Sequence, residues 1–156
     1  LINSSLPENA GIVRIHVAGD FFSLPYMHAW YTVAMLNPSV LFYAYTKSLR
    51  FWVGGINELP ILHNFVLTAS YGGRDDHMID EFNLRSTKVV YSEAIAAVLG
   101  LDIDHDDSHA AKPSLRDQDF ALLIHGTQPA GSQASVALKE LKGKGSYSRK
   151  KLQVSA

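Results

Sequence analysis

The chain has no cysteine. That excludes disulfides, thiolate catalysis and thiolate-held zinc or iron–sulfur sites within these 156 residues. No apolar run approaches the ~20 residues that a bilayer-spanning helix needs, so no membrane partner is expected. Charge of either sign is not in excess: 14 basic and 15 acidic side chains leave a net charge of -1. A balance so close to neutral gives no global pull towards nucleic acid or anionic lipid. The opening LINSSLPENAG lacks the basic and long apolar regions of a signal peptide. It also lacks an initiator Met, which implies processing or a longer parent chain. Internal repeats and long low-complexity stretches are missing too. What the chain does have is apolar side chains, 47% of the total, enough to build a core at this length.

Strand-like and helix-like stretches alternate. IVRIHVA (12–18), VLFYAYT (40–46), NFVLTAS (64–70), TKVVYS (87–92) and FALLIHG (120–126) read as strands, rich in β-branched and aromatic residues. Helices are expected over 25–36, with Ser23 as cap and Pro25 in the first turn, then briefly within 48–62, over 75–83, over 92–100 and within 127–143. In the first helix Met27, Trp30, Tyr31, Ala34 and Met35 recur at helical spacing and predict one buried face. The aspartate-rich 102–119 reads as a long loop. Crossovers of these lengths suit parallel pairing. The expected fold is α/β, a mostly parallel sheet of about five strands with crossover helices, and it would suit a partial (β/α) barrel. Residues 1–143 would form one domain and 144–156 a basic tail. The open edge of a partial barrel invites homo-oligomer formation.

In parallel α/β folds the functional side chains gather at the carboxyl ends of the strands. Here the strands finish in Asp20, in Thr46-Lys47, in Ser70, in Ser92 and in His125. His16 alternates with Arg14 and Ala18 and would face the side opposite Val13, Ile15 and Val17. His16 and His125 are therefore candidate acids or bases, since imidazole titrates near neutrality. Asp20 would orient one of them or bind a metal.

Two glycine-bearing turns suggest an anion site. HGTQPAGS lies between a strand and a helix, so Gly126, Thr127, Gln128 and Ser132 could meet a phosphate or carboxylate. It is neither a Walker loop nor a G-x-G-x-x-G fingerprint, and Ser132 could simply cap a helix. SYGGRDDH repeats the arrangement. Its Arg74 could grip an anion bidentately or pair with Asp75 or Asp76. Lys47 offers an amine for phosphate binding, or is a surface lysine. In DIDHDDSH, Asp104, His105, Asp107 and His109 are donors suited to Mn, Zn or Mg, though the spacing is not that of an EF-hand. Solvated aspartates would look the same. Trp30, Tyr31, Phe51 and Trp52 read as core. Lys139, Lys142, Lys144, Arg149, Lys150 and Lys151 leave a nucleic-acid partner open.

The stretches VRIHVAGDFFS, FYAYTKSL, LTASYGGRDDHMID and FALLIHGTQPAGSQA, in this order between about residues 12 and 142, resemble the bacteriophage gene product 88 family. The resemblance implies a phage or prophage origin and a place in the cytoplasm of an infected bacterial host. It implies no particular activity or cofactor. Members of that family carry a cysteine-containing region upstream, and a cofactor bound there would have no ligands in this chain. The chain would then be a natural short member or a truncated reading frame. The β-α succession also resembles, more loosely, the later strands of a radical S-adenosylmethionine barrel. That likeness concerns fold alone, and the three-cysteine motif is missing.

Two functions follow as expectations. One is a phage enzyme, or its remnant, binding a small anionic metabolite or nucleotide at the carboxyl edge of the sheet. It requires His16, Asp20, Thr46, Ser70 and His125 to converge, with Lys47, Arg74 and the 126–132 turn on the anion. The other is a noncatalytic protein that binds a host protein or nucleic acid.

Overall fold

In the computed structural model, which describes residues 2–147, strands and helices alternate as expected. The elements are β1 (Ile12–Arg14), α1 (Leu24–Leu36), β2 (Leu41–Thr46), α2 (Leu49–Val53), β3 (Phe65–Ser70), α3 (His77–Glu81), β4 (Ser86–Val90), α4 (Glu93–Leu99), β5 (Asp102–Asp104), α5 (Ser108–Ala111), β6 (Phe120–Leu123) and α6 (Gln133–Glu140). The strand order is β1-β2-β3-β4-β6-β5. The pairs β1–β2, β2–β3, β3–β4 and β5–β6 are parallel. The class is α/β, with six strands rather than five. The additional strand, β5, lies in the stretch read as loop. Its three residues, Asp-Ile-Asp, hold one apolar side chain, too few to show a period of two.

The chain divides into two compact units. The first comprises residues up to Thr87 together with Ala110–Gln118. The second comprises Lys88–His109 together with the described residues from Asp119.

In the first unit α1 covers one face of β1–β3. Met27, Tyr31, Val33 and Ala34 pack with Ile15, Phe21, Phe42, Ala44, Phe65 and Leu67. Phe42, Ala44, Phe65 and Leu67 share a face because parallel register pairs Phe42 with Phe65 and Ala44 with Leu67. The helix starts where Ser23 Oγ accepts the Tyr26 N–H at 3.3 Å, with Pro25 in the first turn. It stops at Asn37, and the Asn64 amide donates to the carbonyls of Ala34, Asn37 and Val40 at 2.9–3.0 Å. These bonds tie the residue before β3 to the end of α1 and to the turn that follows it. The expected buried face needs one change. Met35 is exposed and Val33 is buried instead, because α1 is apolar nearly all round and its sequence cannot single out the packed stripe.

β1 is shorter than the 12–18 read from the sequence. Ile15 still packs into the core, but the chain then leaves the sheet and Val17 is 88% exposed. β-branched residues favour strands only where a neighbour receives them.

The second unit packs Val90, Ala96, Ala121 and Leu123 together, with Leu101, Ile103 and Leu141 against them. α4 is capped by Ser92 Oγ, which accepts the Ile95 N–H at 3.3 Å, and it ends at left-handed Gly100 (φ 67°). Past α6, Ser146 is buried. Its hydroxyl donates to the Asp104 carbonyl at 2.5 Å and accepts the Leu123 N–H at 2.9 Å, tying β5 to β6. The beginning of the stretch read as a basic tail is therefore docked. Arg149, Lys150 and Lys151 lie outside the described residues.

Candidate functional site

The segment after β1 and the carboxyl ends of β2 and β3 meet around Asp20 and Lys47. Asp20 Oδ1 accepts the Phe21 N–H at 2.7 Å and the Thr46 hydroxyl at 2.6 Å, and its Oδ2 accepts the Lys47 N–H at 2.7 Å. Thr46 is buried, and its oxygen also accepts the Ser48 N–H at 3.0 Å. The Ser48 hydroxyl donates to the Phe21 carbonyl at 2.6 Å. Asp20 thus fastens the segment after β1 onto the end of β2.

Lys47 reaches across to β3. Its Nζ donates to the Ser70 carbonyl and the Ser70 hydroxyl, both at 3.2 Å, and to the Tyr71 carbonyl. Burial pushes its amine below the ordinary lysine value, and the charges of Asp76 and Asp20 oppose that shift. Three acceptors engage the three protons of an ammonium, so Lys47 offers a ligand charge more than a further hydrogen bond.

Gly72-Gly73 follow β3. Gly72 has φ +96°, which favours glycine, and a Cβ on Gly73 would crowd Lys47 Cβ at 3.1 Å. Their N–H groups, which the sequence suggested for an anion, are both taken at 2.8 Å by the carboxylate of Asp76. Beside this turn opens a cleft of about 390 Å³, lined in part by Phe21, Phe22, Lys47, Arg50, Arg74 and Asp75. Arg50 holds Asp75 bidentately at 3.0 and 3.1 Å. Arg74 is exposed and makes no hydrogen bond or ion pair among the described residues.

His16 stands behind the cleft wall. Its Nε2 lies 3.2 Å from the Tyr26 hydroxyl, and its ring meets Phe21 edge-on at 4.7 Å. Burial lowers its pKa, against the raising effect of the Asp20 charge. The folded state therefore favours neutral imidazole. Between the folded value and the ordinary value near 6.5, the unfolded chain binds more protons, so stability rises with pH across that window. The contribution is complete above the ordinary value and is lost as pH falls through the folded one. His16→Gln, which cannot titrate, should lose less stability than the parent between about pH 8 and about pH 5, measured by urea unfolding.

The other predicted groups belong to the second unit. His125 Nδ1 donates to the Leu123 carbonyl at 2.8 Å, and its ring meets Tyr147 edge-on at 4.9 Å. Gln128 Nε2 donates to the His125 carbonyl at 2.7 Å, while Gly126 (φ +70°) turns the chain and Thr127 is exposed. Ser132 caps α6, accepting the Ser135 N–H at 3.1 Å and donating to the Pro129 carbonyl at 2.7 Å.

Asp104 is 1% exposed. Its oxygens accept the N–H groups of Asp106, Ser108 and His109 at 3.0, 3.2 and 2.9 Å. Asp107 accepts the Tyr147 hydroxyl at 2.5 Å, His109 stacks on Phe120 at 5.0 Å, and His105 is exposed. Among the described residues no three His, Asp or Glu side chains gather so as to hold a metal ion. The aspartates organise the turn into α5 instead.

The structure therefore joins Asp20, Thr46, Lys47 and Ser70 directly and places Lys47 and Arg74 on one cleft. Ser48, Arg50, Phe22, Tyr26 and Asp76 also shape this region, and sequence reasoning did not single them out. The available signal was Phe21-Phe22 directly after Gly19-Asp20, two aromatics where a strand has just ended. Among the described residues no helix is long and apolar enough to cross a membrane.

A family model described as Gene product 88 matches residues 2–142. No curated protein and no solved structure matches the chain, so the looser likeness to a radical S-adenosylmethionine barrel gains no support.

Proposed function

The chain belongs to the gene product 88 family, a phage protein family, and on that premise we propose that it binds a small anionic ligand in the cleft beyond the carboxyl ends of β1–β3. The observation that carries this reading is Arg74, an exposed guanidinium in the cleft wall with no protein partner among the described residues. Lys47 and Arg50 line the same cleft, and Asp75, an acid among its lining residues, is already held by Arg50. A planar guanidinium suits the paired oxygens of a phosphate or carboxylate. The Lys47 ammonium, fixed by its bonds to β3, adds a positive charge that needs no reordering when the ligand arrives. The cleft also falls within the size range of small-molecule sites.

Titration calorimetry with inorganic pyrophosphate tests the reading. The parent should bind, and Arg74→Ala should weaken binding by about tenfold or more, the loss expected on removing charge-assisted hydrogen bonds. Equal affinity in parent and variant, or no binding by the parent, would refute it. Arg74 is exposed and unbonded within the described chain, so the variant should unfold at the parent's urea concentration.

A further inference from the structure

We infer that the ligand of this cleft carries a flat aromatic ring beside its anionic group, the chemistry of a nucleotide, and that the ring seats on Phe22. The inference rests on the anion-binding reading above.

Phe21 and Phe22 are adjacent, yet the first is 1% exposed and the second 76%. A lone exposed phenylalanine needs no explanation. This one is held in position from several sides. Its ring stacks on Tyr26, with centroids 4.5 Å apart and planes at 18°. Tyr26 is fixed in turn by the contact between its hydroxyl and His16 Nε2 at 3.2 Å, and its backbone N–H is bound by Ser23. The backbone just before Phe22 is pinned at both ends of Phe21, by Asp20 at the N–H and by Ser48 at the carbonyl. Tyr26 supports one face of the Phe22 ring, and the exposure of Phe22 leaves the rest open to solvent.

The outcome is a preoriented aromatic surface on the rim of a cleft whose other lining residues include Lys47, Arg50 and Arg74. An inorganic anion would use only the cations. A ligand with a base and a phosphate would use both parts, and every base has a π-face for a platform of this kind.

The experiment compares three probes on the folded chain: AMP, ribose 5-phosphate and pyrophosphate. AMP and ribose 5-phosphate carry the same single phosphate, so AMP should bind about tenfold or more tighter, the increment expected for stacking one base. In Phe22→Ala the ratio of the two affinities should fall to about one, and in Phe22→Trp it should be kept or enlarged. AMP binding no tighter than ribose 5-phosphate in the parent would overturn the inference, as would a ratio unmoved by Phe22→Ala. If pyrophosphate binds through Arg74 while the base adds nothing, the ring inference alone falls. If pyrophosphate does not bind and Arg74→Ala changes nothing for any probe, the anion reading and the ring inference fall together.

Discussion

Asp20→Ala should destabilise the chain by about 3 kcal/mol and remove pyrophosphate binding with it. The carboxyl group receives three donors at 2.6–2.7 Å, and one of them belongs to the buried Thr46. Deleting it leaves a buried hydroxyl and two backbone N–H groups to find new partners. An unmet buried donor costs about 1–3 kcal/mol, and water will reach some of these. Asp20→Asn separates the clamp from the charge. Its single carbonyl oxygen can keep the Phe21 and Thr46 bonds, while its amide turns a donor towards the Lys47 N–H. It should lose less stability than the alanine variant. Urea midpoints of the two variants check the order. Equal midpoints for Asp20→Asn and Asp20→Ala would show that the acceptor network contributes nothing beyond packing.

Asp104→Ala should cost a similar amount, about 3 kcal/mol, in the second unit. Here the carboxyl is 1% exposed and serves three backbone N–H groups in the turn from β5 into α5. Asp104→Asn should again be milder, since one oxygen can retain the Asp106 and Ser108 donors. Added Mn²⁺ or Zn²⁺ should leave the parent's melting temperature unchanged, because the oxygens are committed to the backbone. A metal-dependent rise that Asp104→Ala abolishes would contradict this.

These two aspartates show what was legible in the sequence and what was not. Both were conspicuous, one after the expected first strand and one in an acidic run. The residue type alone does not say whether a carboxylate meets a metal, a substrate or its own backbone. An Asx turn and a ligand loop draw on the same amino acids.

The meeting of Thr46, Lys47 and Ser70 was legible for a stronger reason, whereas Asp20 lies beyond the end of β1 and His125 belongs to the second unit. Parallel strands place their carboxyl ends on one margin, so polarity arriving at the ends of neighbouring strands must collect there. β2 and β3 were readable within a residue or so, because six consecutive residues of each pair with neighbours. β5 was not, with three residues and two charges. The contribution of Phe22 could not be read either, because its exposure depends on how Asp20 and Ser48 fix the backbone beside it. Nor could Asp76, whose capture of the Gly72 and Gly73 amides turns an apparent anion nest into a closed turn.

The strands at the two ends of the order, β1 and β5, have only three residues each. A strand added from another copy of the chain would find a few rungs at either margin, and at β5 it would meet the exposed Asp102. Backbone-templated polymerisation would stop almost as soon as it began. The chain can thus carry a sheet of strongly β-forming sequence while giving fibril growth very little foothold.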